Sequence, residues 1–206
     1  MSKKISSVLV VGATGSIGKE VVREGARLGC AIRALIRSAD KAKLLPPGAE
    51  TVVGDLTDVS SLSTAVAGID AVVFTHGANG RPPGPEAVDY GAVRNVLTAL
   101  AGRQVRIALM TTVGVTDRKG AHDWKRRGER LVRASGMPYT IVRPGWFDFN
   151  APDQHRIVML QGDNRQTGTP ADGVISRRQL AQILLWSLRS DAARGKTFEL
   201  TSDVGR

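Results

Sequence analysis

Three glycines, each separated from the next by two residues, stand in the stretch Gly12-Ala13-Thr14-Gly15-Ser16-Ile17-Gly18, directly after the β-branched apolar run at 8–11. A strand, a glycine-rich turn and a helical pattern from Lys19 onward form the context in which a dinucleotide pyrophosphate is bound. Each glycine has a separate reason. Gly12 permits a tight turn off the strand, Gly15 lets backbone approach phosphate, and Gly18 lets the helix pack closely on the sheet. Thr14 and Ser16 add hydroxyl donors. Backbone N–H groups at the helix start, where Ile17 lies, join the positive end of the helix dipole in favouring an anion. The plainer alternative is a glycine-rich turn without a ligand, against which the strand, turn and helix occur in register.

The other candidates fall at the ends of predicted strands. Arg37 and Ser38 follow the second strand (31–36), with Lys41 close by and no carboxylate before Asp40. An acidic residue there would accept from a free ribose 2′-hydroxyl, whereas an arginine grips a 2′-phosphate with two N–H groups, so NADP(H) is expected over NAD(H). The alternative is a surface arginine at a strand end. Asp55 ends the third strand (51–53), placed to accept from the adenine amino group with Leu56 against the ring; Asp58 reads as the N-cap of a helix over 59–66. The fourth strand (71–74) delivers Thr75 and Gly77 to the cofactor edge, and His76 either to substrate and pyrophosphate or to a structural role. Thr111 and Thr112 end the fifth strand (105–110), where they would polarise an acceptor or merely satisfy backbone. Were the protein a reductase, the candidate proton sources would be His76, His122 or Lys125, the last in a helix over 123–134, with a solvated cation as its plainer reading. Pro144-Gly145 makes a rigid turn after the sixth strand (139–142) and borders the nicotinamide; Trp146-Phe147 reads as core beneath a cap. No metal site is expected.

Strands alternating with helices argue for an α/β, doubly wound parallel sheet, the Rossmann fold. Within it, 78–85 is a Gly/Pro loop around Arg81, either a flap or a rigid turn, and 86–102 is a helix with Val88, Ala92, Val96, Leu97 and Leu100 on its apolar side. The last third is predicted to hold a strand at 157–160, a polar loop over 162–173, a helix capped by Ser176 to about 188, and a strand at 197–200. Its pieces form a small C-terminal cap within about 146–206, inside one domain spanning 1–206.

At 206 residues, with 42% hydrophobic and 23% charged residues, the chain suits one globular domain and leaves no room for a separate large substrate domain. The first residues lack a long apolar region and no later segment approaches a membrane span, so no membrane partner is expected. A lone cysteine, Cys30, cannot form an internal disulfide and reads as core, which makes a reducing cytoplasm the expected compartment. The net charge of +10 points either to nucleic acid or to a multiply anionic cofactor. The densest basic run, Arg126-Arg127 with Arg130 and Arg133, lacks interleaved aromatics, so a small-molecule substrate is expected and nucleic acid is not. Monomer and homodimer both remain open.

Taken together, Gly12/Gly15/Gly18, Ala34-Leu35-Ile36-Arg37, Gly54-Asp55-Leu56, Val88-Asp89-Tyr90, the stretch from Ser135-Gly136-Met137-Pro138-Tyr139 to Arg143-Pro144-Gly145, and the Ser176 helix resemble the atypical short-chain dehydrogenase/reductases. These are compact NAD(P)H-binding proteins with flavin-reductase-like, biliverdin-reductase-like and NmrA-like relatives. The resemblance covers nearly the whole chain and implies an NADP(H)-dependent oxidoreductase. Active members of the wider superfamily use a Tyr-x-x-x-Lys pair, and this chain departs from it. Tyr90 and Tyr139 are followed by Arg94 and Arg143, and Ala121 stands four residues before Lys125. The implied reductase would therefore act on a small planar acceptor such as a flavin or quinone, for which an aligned nicotinamide supplies most of the chemistry. The alternative is a non-catalytic NADP(H)-binding sensor or scaffold.

Overall fold

The computed structural model describes residues 5–78, 80 and 82–205, so Arg81 of the glycine/proline loop lies outside the described residues. β1 (Ser7–Val11) leads into α1 (Ser16–Arg27), followed by β2 (Ala31–Ile36), β3 (Ala49–Val53) and β4 (Ala71–Phe74). A π-helical turn (Glu86–Tyr90) runs into α2 (Gly91–Leu100), then β5 (Arg106–Met110), α3 (Gly120–Ala134) and β6 (Tyr139–Pro144). The remainder supplies β7 (Trp146–Phe147), β8 (Arg156–Leu160), β9 (Val174–Ile175), α4 (Arg177–Arg189) and β10 (Lys196–Asp203).

The strand order is β3-β2-β1-β4-β5-β6-β10-β9-β7, with β8 antiparallel to β10. From β3 to β10 every neighbour pairs in parallel. Parallel strands need crossovers, and the crossovers bury both faces, which is why β1, β4 and β5 are unbroken apolar runs rather than alternating ones. Leu9, Val11, Val72, Phe74, Ile107, Leu109 and Ile141 line one face with Val93, Val96 and Leu100 of α2 and Val132 of α3. Val8, Val10, Ala34, Val73, Ala108 and Val142 line the other with Val21 of α1 and Leu180, Leu184 and Leu188 of α4. The order reverses between β1 and β4, and a crevice at the carboxyl ends of the strands on either side of such a point is where open α/β sheets bind ligands.

The expected helix over 59–66 does not form. Only a single 3-10 turn, Ser60–Leu62, remains there. Serines and threonines compete for backbone hydrogen bonds, and Asp58 is not the N-cap, which is Val59; its carboxylate accepts instead from the N–H (2.9 Å) and hydroxyl (2.7 Å) of Ser60. β6 runs two residues further than expected, and Trp146-Phe147 forms a short strand against β9. Of the C-terminal third, α4 and β10 complete the layered core, and β7, β8 and β9 continue the same sheet beyond β10. Among the described residues no helix is long and apolar enough to cross a membrane.

Candidate dinucleotide site and reaction edge

The turn after β1 is built by exclusion of side chains. Gly12 has φ +86°, and a Cβ there would lie 2.8 Å from the His76 backbone N. A Cβ on Gly18 would lie 2.1 Å from the Gly12 carbonyl oxygen, so α1 seats directly on the turn. Gly15 donates its N–H to that same oxygen at 2.9 Å and is extended, with open space except for a 3.2 Å contact. The first turn of α1 carries no side-chain cap and no acidic residue, so its N–H groups face outward without a competing anion. Ser16 is exposed and Thr14 half-buried, whereas the Ile17 side chain is buried in the core and only its backbone faces the turn. Thr75 donates its hydroxyl to the Val11 carbonyl at 3.0 Å, tying the end of β4 to the exit of β1 beside half-buried Gly77.

At the ends of β2 and β3, Arg37 is exposed and makes no ion pair among the described residues. The Ser38 hydroxyl donates to Asp40. Asp55 accepts from the Thr57 N–H and hydroxyl, both at 2.8 Å; these bonds hold its carboxyl below the usual range, with the Arg37 charge adding to the effect. Asn95 of α2 donates to the Leu56 carbonyl at 2.7 Å and so fixes the half-buried Leu56 loop. Sequence reasoning missed Asn95; the signal was an amide on the apolar face of a helix.

The proposed reaction residues meet different fates. Lys125 and His76 come together around a third group, Asp89, which accepts from Lys125 Nζ at 2.6 Å while only 2% exposed. Gly128 makes this possible, since a Cβ there would press on the Asp89 carbonyl at 3.1 Å and lift α3 away. His76 packs edge-on against Phe74, and among the described residues its Nδ1 has no hydrogen-bond partner. Burial, aided by the Lys125 charge, pushes its imidazole from 6.5 to about 3 against the opposing pull of the Asp89 and Val88 backbone. It is therefore neutral at physiological pH.

Thr111 donates its hydroxyl to fully buried Glu129 at 2.8 Å, and Glu129 also receives the Arg143 guanidinium at 2.9 and 2.7 Å. Arg143 reaches Glu199 at 3.3 Å as well. Burial alone would lower the Arg143 pKa, but hydrogen bonding and charge from Glu129 outweigh it and raise it. Half-buried Thr112 stands beside this network at the strand end, opposite Pro144, whose carbonyl accepts from the Val113 N–H at 3.1 Å. Trp146 is not core as expected: it is 39% exposed and meets Phe149, itself 61% exposed, edge-to-face at 6.0 Å. Asp163, buried in the polar loop, accepts from the N–H groups of Gly114 (2.6 Å) and Thr116 (2.8 Å), stapling that loop to the turn after β5. Nothing in the sequence distinguished Asp163 from the other acids of its loop.

This fold and turn define a Rossmann-type NAD(P)H-binding protein of the atypical short-chain dehydrogenase/reductase group. The chain belongs to the NAD(P)H-binding family, which it matches over residues 12–191. It is 29% identical to Protein TIC 62, chloroplastic, of Oryza sativa subsp. japonica over 89% of this chain and 43% of the relative, so it spans less than half of that protein. It is 32% identical, over 94% of this chain and 67% of the relative, to a (4-alkanoyl-5-oxo-2,5-dihydrofuran-3-yl)methyl phosphate reductase of Streptomyces griseus. A putative NAD-dependent epimerase/dehydratase from Bacillus halodurans superposes with a TM-score of 0.80 at 25% identity, covering 97% of this chain and 95% of that one.

Proposed function

We propose that this protein is an NADP(H)-dependent reductase that passes hydride to a small planar acceptor of the flavin or quinone kind. The observation that carries the reading is the turn before α1, a cradle that a Cβ at Gly12 or Gly18 would fill, opening on uncapped N–H groups. The residues fit the dinucleotide on a second count, because Arg37, which makes no ion pair among the described residues, stands beside Asp55 where a ribose 2′-phosphate would lie. Bound there, the nicotinamide supplies the hydride. The chain's own part is to hold the pyrophosphate at 14–18, to border the reaction edge with Thr112 and Pro144, and to present Lys125 in the orientation set by Asp89.

Acid help at that edge is limited. There is no phenol at the four-residue spacing, His76 is neutral, and the Thr111 hydroxyl is held by Glu129. An acceptor that spreads incoming charge over a conjugated ring asks less of an acid than a simple ketone does, and the exposed Trp146–Phe149 pair gives such a ring an aromatic edge. The Streptomyces griseus relative, which is named a reductase, supports a reductase reading only by likeness.

The test is an acceptor screen that follows NADPH absorbance with flavins, quinones, azo dyes and simple ketones. Planar acceptors are expected to consume NADPH and ketones to react poorly. Lys125→Met should reduce turnover at least tenfold with unchanged NADPH affinity. Binding without turnover across every class would overturn the reductase in favour of an NADP(H)-binding sensor, and fast ketone reduction would overturn the account of the proton supply.

A further inference from the structure

The positive charge of the chain is concentrated. Residues 118–133 hold seven lysines and arginines against Asp123 and Glu129, a net +5, half of the +10 of the whole sequence. Lys125 and Arg133 of this set are drawn to Asp89 and Glu129, but Arg126, Arg127 and Arg130 line the outer side of α3. They share a groove of about 550 Å³ with Trp124 and Leu131 of α3 and with Glu86 and Tyr90 of the π-helical turn.

The basic stretch carries one aromatic of its own, Trp124, and the fold brings Tyr90 of the π-helical turn beside it. The Arg127 guanidinium lies 4.6 Å from the Trp124 ring centre, and the Tyr90 ring lies 5.9 Å from that of Trp124. Arg94 extends the row, 6.0 Å over Tyr90. Asp123 steadies Arg126 at 3.0 and 2.7 Å and the Nε of Arg127 at 2.7 Å, while Arg130 has no carboxylate partner among the described residues. A row of arginines interleaved with aromatic rings on an open surface is the chemistry of a stacking platform with phosphate contacts.

We propose that this groove binds single-stranded nucleic acid, with bases against Trp124, Tyr90 and the guanidinium planes and phosphates on Arg126, Arg127 and Arg130. A second copy of the chain fits poorly, because a two-fold axis here would set like charges face to face. An acidic protein segment would satisfy the arginines and leave the aromatic rings without a role. The groove's arginines and Trp124 lie on the opposite side of α3 from Lys125 and Glu129, so the proposal does not rest on the reductase reading.

The test is fluorescence anisotropy of a fluorescein-labelled 15-nucleotide oligo(dT) with the full chain at 50 and 200 mM salt, with and without saturating NADPH. Neutralising about three phosphates gives a slope of about −2 in log K against log salt, so affinity should fall roughly tenfold to twentyfold between the two salts. Arg127→Glu/Arg130→Glu should weaken binding at least tenfold and flatten the slope. Trp124→Ala should weaken it severalfold with the slope kept, and Trp124→Phe, which retains a ring, should restore most of it. NADPH affinity reports the fold of each variant and should not change. Absence of binding at 50 mM salt overturns the proposal, as does displacement of the oligonucleotide by NADPH in proportion to cofactor occupancy. Equal binding of poly-glutamate, or indifference to Trp124→Ala in a folded variant, overturns it in favour of a surface that takes any polyanion.

Discussion

Arg37 and Asp55 are near enough for the guanidinium to act on the carboxylate, yet Asp55 is bonded to Thr57, which leaves Arg37 available to an anion. Arg37→Ala is expected to weaken NADPH binding by about 1.5–3 kcal/mol, the range for a charged hydrogen bond, and to leave NADH affinity unchanged. Titration of both cofactors checks it, and equal NADPH and NADH affinities in the parent would remove the argument. The glycines of the turn separate binding from stability. Gly15→Val should abolish NADPH binding with the fold retained, whereas Gly18→Ala puts a Cβ 2.1 Å from a carbonyl oxygen and should cost roughly 1–3 kcal/mol of stability as well. His76 makes stability pH-dependent. Its folded pKa is about 3 against 6.5 unfolded, so below 6.5 only the unfolded chain takes up the proton. Stability contributed by the neutral ring is complete above pH 6.5 and is lost as pH falls toward 3, by up to about 1.4 kcal/mol per pH unit. Urea unfolding of His76→Gln between pH 4 and 7 should show a flatter profile than the parent.

α3 is the element on which both halves of the proposed reaction edge depend. Lys125 and Glu129, four residues apart, project inward one turn from each other, the first to Asp89 and the second to Thr111 and Arg143. Glu129 is fully buried, and removing its charge leaves Arg143 only the 3.3 Å contact to Glu199 and the more distant charge of Asp163. Glu129→Gln is therefore expected to destabilise the fold by about 3–5 kcal/mol, read from chemical denaturation. The opposite result, a neutral substitution, would mean that the network is replaceable by ordinary hydrogen bonds. Because α3 begins at Gly120, Ala121 lies one turn before Lys125, and Ala121→Tyr is expected to raise ketone reduction by supplying the missing phenol.

At the scale of the molecule, β10 joins the parallel part of the sheet to its C-terminal strands. It pairs in parallel with β6 and antiparallel with β8 and β9, and it buries Phe198 and Leu200 against the layer formed by α1 and α4. Ending the chain at residue 195 would uncover β6 along its length and leave an unpaired apolar edge. The shortened protein is expected to lose cooperative unfolding or to aggregate, as circular dichroism melting and size-exclusion chromatography would show. A soluble, cooperatively folding product would mean that β1 to β6 with their helices suffice.

What the sequence determined by itself is local or periodic. The β1–turn–α1 unit was legible because each glycine answers a short-range steric demand, and β2, β4 and β5 were legible as apolar runs that a two-faced sheet requires. The family resemblance added the order of the parts. Tertiary structure alone decided how the charges were partnered. Asp89 met Lys125, Glu129 met Arg143 and Asp163 met Gly114 across long separations, and no spacing rule links such residues before the chain folds. The same holds for Trp124 and Tyr90, which lie far apart in sequence and 5.9 Å apart in space. The helix expected at 59–66 from Asp58 as a cap is lost for a complementary cause: a segment rich in serine and threonine gains more from Asp58 and the loop than from a helical ladder. Periodicity records what a segment can bury, and only packing decides which partner each buried or half-buried polar group receives.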